Sequence, residues 1–118
     1  LKENRAVGML IDQDERKSGV FVDFFGKAAS TNTGAAAFHL MHKSPILLFS
    51  CSYAKKHVKI RFQRLTFQSS GNGEQDLRDL TQQIVSGLEF MIRRHPEQYF
   101  WMHRRWRTRP PGDSGTPY

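Results

Sequence analysis

The chain has 118 residues, 38% apolar and 25% charged, with a formal net charge of +7. That suffices for one domain with a modest core and excludes a disordered polyelectrolyte. The single Cys51 excludes an internal disulfide and a zinc site built on paired thiolates.

Cys51 lies in an apolar run and reads as a buried, inert thiol. No signal-peptide pattern is visible, and no apolar run approaches the ~20 residues that span a bilayer. The positive charge favours an anionic partner, whether nucleic acid, acidic membrane or phosphorylated substrate; the alternative is a solvated basic surface. A start at Leu1 rather than Met reads as a piece of a longer protein.

In chain order, Ala6 to Ile11 (AVGMLI) is a short apolar run ending at Asp12-Gln13 and predicts a buried strand. Asp12 and Gln13 then either cap a turn or reach a ligand at a strand's carboxyl end. Glu15 to Gly19 is a polar turn. Val20 to Phe25 (VFVDFF) is β-branched and aromatic, a second strand broken by Gly26.

Thr31-Asn32-Thr33 offers N-caps for a small-residue helix from Gly34 to Lys43, which Ser44-Pro45 ends. Ile46 to Tyr53 (ILLFSCSY) predicts another buried strand. Strand, helix and strand in that order predict a parallel crossover. Val58, Ile60 and Phe62 alternate with Lys59, Arg61 and Gln63, as in a half-exposed strand with a cationic outer face running to Phe67. The short Ala54–His57 link suits a hairpin.

Ser69 to Gly73 is a loop. Leu77, Leu80, Ile84, Leu88, Met91 and Ile92 then form one apolar stripe of a helix from about Glu74 to Arg94. Acids at its start and arginines at its end suit the helix dipole. Pro96 can open a short helix carrying Tyr99, Phe100, Trp101 and Trp106 among Arg104, Arg105, Arg107 and Arg109. Aromatics interleaved with guanidinium groups suit a ligand that is both anionic and apolar.

His39 and His42 share a helix face, but no third zinc ligand is evident. The chain has no G-x-S-x-G elbow and no glycine-rich phosphate loop. From Phe24 to Gly73 there is no acidic residue, while Lys27, Lys43, Lys55, Lys56, Lys59, Arg61 and Arg64 all occur, so one side of the sheet should be strongly positive. No RNA-recognition strand, zinc module or helix-turn-helix accompanies that charge.

Three blocks together resemble the late acyltransferases of bacterial lipid A biosynthesis. Gly8 to Gln13 (GMLIDQ) is the strand ending in Asp-Gln. Gly19 to Gly34 (GVFVDFFGKAASTNTG) is similar to the family's G-x-F-V-x-F-F-G-x-x-A-x-T-x-x-G. Pro96 to Pro110 (PEQYFWMHRRWRTRP) is similar to its P-E-Q-[WY]-x-W-x-H-[RK]-R-[WF]-[KR]-T-[RK]-P. Asp23 departs from the pattern, where the family often has Pro, and leaves a carboxylate at the turn.

The resemblance implies an α/β fold, the C-terminal portion of a glycerolipid-acyltransferase-like mixed sheet with flanking helices. Residues 1–112 would be the C-terminal part of an acyltransferase domain and 113–118 a loose tail. It implies acyl transfer from acyl carrier protein or acyl-CoA to a hydroxyl of a phosphorylated lipid A precursor. It places the protein on the cytoplasmic face of the bacterial inner membrane, against an anionic membrane surface, with no cofactor and no nucleic acid.

The family's catalytic motif is His-x-x-x-x-Asp/Glu, the His serving as general base on the acceptor hydroxyl. Five residues after His39, His42, His57, His95 and His103 stand Ser44, Leu47, Phe62, Phe100 and Thr108, none acidic. No catalytic residue is therefore assigned, the motif is expected upstream of Leu1, and the chain taken alone should be inactive.

The resemblance makes Asp12, Gln13, Gly26 and Lys27 substrate contacts, the last two holding a phosphate or oxyanion through exposed amides and an ammonium. Phe24 and Phe25 line an acyl groove or belong to the core. Arg104, Arg105 and Arg107 meet phosphates or sugar carboxylates, while Tyr99, Trp101 and Trp106 sit at the membrane interface or pack a terminal helix. The competing reading is a non-enzymatic basic module binding RNA or anionic membrane.

Overall fold

The computed structural model describes residues 4–115. In chain order its elements are β1 (Val20–Phe24), β2 (Lys27–Thr31), α1 (Gly34–His42), β3 (Ile46–Ala54), β4 (His57–Leu65) and α2 (Gly73–Ile92), followed by a 3₁₀ turn at Pro96–Gln98. The fold is mixed α/β, as expected, with two helices and two separate two-stranded antiparallel sheets among the described residues.

The long helix α2 organises both halves of the core, and its sequence explains why. Asn72 caps it by accepting from the Gln75 amide at 3.2 Å, and Glu74 and Asp76 occupy the first turn, where the helix dipole favours acids. Leu80 and Ile84 on one side of the stripe bury against Ala36 of α1 and Leu65 of β4. Val85 and Ile92 on the other bury against Val22, Phe24 and Ala29 of the first hairpin. Gly87 lies beneath β3, where an added Cβ would overlap the Leu48 side chain, so glycine there allows the close approach.

The β1–β2 hairpin turns at Phe25 and Gly26, both at positive φ (55° and 77°), the two-residue geometry that matches strand twist. Glycine takes this conformation freely, while a bulky residue such as Phe25 must be held in it. In β3–β4, Phe49 pairs with Phe62, Cys51 with Ile60 and Tyr53 with Val58, so these six side chains share one face.

Several expectations are overturned. Ala6 to Ile11 forms no strand: a buried strand needs a neighbour, and none of the described residues pairs with it, leaving Val7 and Leu10 exposed. The parallel crossover is absent. The segment after Gly26 returns at once as antiparallel β2 rather than running straight to a helix. The small residues of KAAST carry little strand propensity, which is why β2 escaped the sequence reading.

The second hairpin is turned over relative to expectation. Val58, Ile60 and Phe62 face solvent, while Lys59, Arg61 and Gln63 lie on the side of Leu48, which packs on α2. Cys51, on that outer face, is exposed rather than buried. The aromatic-arginine run is not a helix: beyond Gln98 it proceeds in irregular turns. The end of the tail expected at 113–118 lies partly outside the described residues; within them, Asp113 is tied to Arg109 at 2.5 Å and to the Gly115 amide at 3.0 Å.

Candidate functional site

The C-terminal segment wraps the first hairpin, and Arg105 is the pin. Its side chain is 2% exposed. One guanidinium nitrogen donates to the Ser30 carbonyl at 2.6 Å and another to the Thr31 hydroxyl, while the group lies over the Phe24 ring at 5.4 Å. Trp106 Nε1 donates to the Phe24 carbonyl at 3.3 Å and its ring stacks on Phe24 at 5.6 Å. Tyr99 meets Phe24 edge-on and Trp101 meets Phe25 in the same way.

Phe24 is fully buried, so Phe24 and Arg105 have no surface to offer a ligand in this chain. Of the two roles expected for Phe24 the structure places it in the core of the hairpin, and Arg105, expected to meet phosphates or sugar carboxylates, is the clamp of that hairpin. A planar guanidinium with five donors suits that task, because it can bind two strand acceptors and an aromatic face together.

The Gly26 amide, expected to be an open donor, is engaged, and so is that of Phe25 before it. Phe25 N–H donates to Glu89 of α2 at 2.8 Å, and Gly26 N–H donates to the Asp23 carboxylate at 3.1 Å. Asp23, the departure from the family pattern, therefore caps the turn. Its backbone N–H and C=O also pair with the Gln82 side chain at 2.7 and 3.0 Å, and a proline would lack that N–H.

Burial works to raise the Glu89 carboxyl, but the Phe25 amide and Arg93 outweigh it and hold the group below the usual carboxylate range. Arg93, bonded to Glu89 at 2.5 Å, also lies over the Phe25 ring at 4.8 Å. Phe25 is thus fixed at both backbone and ring in its uncommon conformation. Gly26 and Lys27 remain exposed at the tip.

Beside this hairpin runs the segment around Asp12. Asp12 is half-buried and Gln13 exposed. The charge of Asp12 acts on Tyr99, whose hydroxyl is pushed up to about 12, first by burial and then by Asp12, against the opposing charge of Arg105. Asp14, which sequence reading passed over, is the stronger tie. Its carboxylate accepts from the Thr108 amide at 3.2 Å and hydroxyl at 2.8 Å, and its own amide donates to His103 Nε2 at 3.0 Å. That bond uses His103 Nε2 as an acceptor.

The site residues therefore divide. Tyr99, Arg105 and Trp106 come together around Phe24, and Asp12 is near enough for its charge to act on Tyr99. Lys27, Arg104 and Arg107 are exposed. Trp101 is 45% exposed with Nε1 held by the Pro96 carbonyl at 2.7 Å, flanked by Phe100 and Met102 at 69% and 82%. Tyr99 and Trp106 are packed against the core instead. Gln98 anchors this loop to the second hairpin, its side-chain amide bonding the Tyr53 N–H at 2.6 Å and C=O at 3.1 Å.

His39 and His42 do not form a site. His39 Nδ1 donates to the Ser44 carbonyl at 2.8 Å beyond the helix end, and His42 packs on Phe38. Among the described residues no three His, Cys, Asp or Glu side chains converge as metal ligands, and no helix is long and apolar enough to cross a membrane.

A mixed α/β fragment whose C-terminal Trp-Arg segment pins a Phe-Phe-Gly-Lys hairpin is consistent with part of an acyltransferase-like fold. The family model for bacterial lipid A biosynthesis acyltransferases matches residues 1–108, and the chain belongs to that family. It is 30% identical, over 97% of its own length, to the lipid A biosynthesis palmitoleoyltransferase of Escherichia coli K12. It is equally similar to a lipid A biosynthesis acyltransferase of Shigella flexneri. It spans 37% of the length of each of these relatives.

Proposed function

We propose that this chain is the acceptor-binding part of a lipid A acyltransferase, which moves a fatty acyl chain from acyl carrier protein or acyl-CoA to a hydroxyl of a phosphorylated lipid A precursor. The reaction would occur at the cytoplasmic face of the bacterial inner membrane. The supporting observation is the exposed cationic set of Lys27, Arg104 and Arg107 beside a hairpin held rigid by Arg105, Glu89 and Asp23.

Rigid placement matters because a phosphate anchored at fixed cations brings the acceptor hydroxyl to one position relative to a base. Arginine binds phosphate with two parallel hydrogen bonds, and an ammonium supplies a compact charge. The half-exposed Trp101 with Phe100 and Met102 offers the apolar border that a lipid acceptor needs. The general base is not among these residues, and the portion of the family enzyme outside this chain would supply it. Its absence leaves the chain alone without transferase activity.

The test uses the chain within a full-length family enzyme, assayed for acyl transfer to a lipid A precursor. Lys27→Ala and Arg104→Ala should each lower kcat/KM at least about tenfold, the scale of a lost charged hydrogen bond. Unchanged turnover in both variants would refute the assignment. The competing RNA-binding reading is not favoured by the family match.

A further inference from the structure

The segment from His103 to Thr108 is held through the side chains of His103, Arg105, Trp106 and Thr108, and the two residues left over are both arginine. Asp14 ties the ends. Its backbone N–H donates to His103 Nε2 at 3.0 Å, and its carboxylate accepts from the Thr108 amide at 3.2 Å and hydroxyl at 2.8 Å. The middle is sunk into the first hairpin, Arg105 through Ser30 and Thr31 and Trp106 through Phe24. Between these fixed points the Arg107 amide donates to the Arg104 carbonyl at 3.2 Å, so Arg104 and Arg107 are the first and last residues of one turn. The ends of such a turn lie within about 7 Å of each other, which lets two arginine side chains reach the same anion.

Both arginines are exposed, and neither side chain is hydrogen-bonded or ion-paired to another described residue. The acids bonded to this stretch are engaged elsewhere, Asp14 by Thr108 and Asp113 by Arg109 at 2.5 Å. Two uncompensated guanidinium charges thus stand on a backbone pinned on either side of each. A guanidinium stays protonated throughout the physiological range, so the ligand that neutralises the pair is a dianion. A phosphomonoester carries about −1.5 to −2 at pH 7 and offers three acceptor oxygens. A phosphodiester or a carboxylate carries a single charge and leaves one guanidinium uncompensated.

We propose that Arg104 and Arg107 form a clamp on one phosphomonoester of the acceptor, and that Asp14 is the positioning residue that sets their spacing. Asp14 touches no ligand; it closes the segment at its base through His103 and Thr108. The clamp rests on the acceptor-binding role and narrows it, because the two arginines share one phosphate instead of meeting separate groups.

Binding is read on the full chain by NMR titration, with methyl phosphate as the monoester probe and dimethyl phosphate as the diester probe. Methyl phosphate should shift the amide signals of residues 103–108 and bind at least about tenfold more tightly than dimethyl phosphate, the scale of one charged hydrogen bond. Arg104→Ala and Arg107→Ala should each remove that preference, as should Asp14→Ala. Asp14→Asn keeps an acceptor for the Thr108 amide and should retain part of it. General loosening of the fold would weaken both probes alike and leave their ratio unchanged. Equal affinity for the two probes in the unaltered chain overturns the clamp, and an unchanged ratio in the Asp14 variants overturns the positioning role. Should Asp14→Ala fail to fold, Asp14→Asn decides that role.

Within a full-length family enzyme, methyl phosphate should inhibit competitively against the lipid A precursor and not against the acyl donor. Competition against acyl-CoA, which carries a phosphomonoester of its own, would make the donor the ligand and overturn the proposal. A double-mutant cycle on the precursor's KM should show strong coupling, Arg104→Ala with Arg107→Ala losing little more than either alone; losses that add would mean separate ligands and also overturn it. The two readings fail differently. Arginine variants that lose methyl phosphate yet turn over normally would sink the acceptor-binding role, and with it the acceptor as the clamp's ligand. Lost turnover with an unchanged probe ratio would sink the clamp alone.

Discussion

The β1–β2 and β3–β4 hairpins are both two antiparallel strands joined by a two-residue turn, and a glutamine amide meets the outer edge of each, yet the rest of their surroundings differ. Gln82 closes the outer edge of β1 at Asp23, and the Glu15 amide and Arg105 close that of β2 at Ser30. The second hairpin is longer, lies on α2 by one face, and leaves its other face apolar and open. Strand length and hydrophobicity therefore do not measure how well a hairpin is held; the side chains that close its edges and cover its faces do.

Arg105→Ala should give the largest loss, about 3–5 kcal/mol in denaturant unfolding, because two strand acceptors and an aromatic face lose their shared partner. A loss under about 1 kcal/mol would abolish the distinction between the hairpins. Truncating matched aromatics sharpens it: Phe24→Ala should cost about 3–4 kcal/mol, whereas Phe62→Ala in the same chain should cost less than about 1. Equal costs would show that the outer face is covered in the isolated chain too.

A smaller effect is expected at the first turn. Asp23→Ala removes the acceptor of the Gly26 amide and should cost about 1 kcal/mol, with faster hydrogen exchange at Gly26. Acid supplies the finest test, at the α2 entry. Ser69 first, and then Ser70, holds the Asp76 carboxyl down at about 2, against an ordinary 3.8. A depressed carboxyl stabilises the fold above its unfolded value, and that contribution fades as pH falls from 3.8 towards 2. Asp76→Asn should lower the melting temperature at neutral pH and flatten its acid dependence in that window, while the Glu89 tie to Phe25, itself a depressed carboxylate, keeps its own acid response.

What the sequence disclosed was local. The α2 stripe from Leu77 to Ile92 and the turn between Ala54 and His57 are short-range patterns, and both elements form there. The family likeness rests on linear blocks, and the family match extends over them. The missed features are ties between distant residues. Glu89 on Phe25, Gln82 on Asp23, Asp14 on Thr108 and Arg105 on Ser30 join positions 59 to 94 residues apart.

Periodicity carries no signal for such bonds, so Asp14, Gln82 and Glu89 do not stand out in the sequence and Arg105 reads as a ligand-binding residue. The orientation of β3–β4 failed for a related reason. Alternation shows that two faces differ, but only the packing of Leu48 against α2 decides which turns inward.

Gln98 gives β3 what Gln82 gives β1: a side-chain amide that imitates a peptide unit, donating to the Tyr53 carbonyl and accepting from its N–H. A single residue thus stands where another strand would otherwise add. An uncapped strand edge recruits further chains, and successive additions build a fibre. The Pro-Glu-Gln turn consequently serves as a stopper at one end of the edge most prone to polymerise, and Gln98→Ala would unseat it while leaving the hydrophobic core untouched.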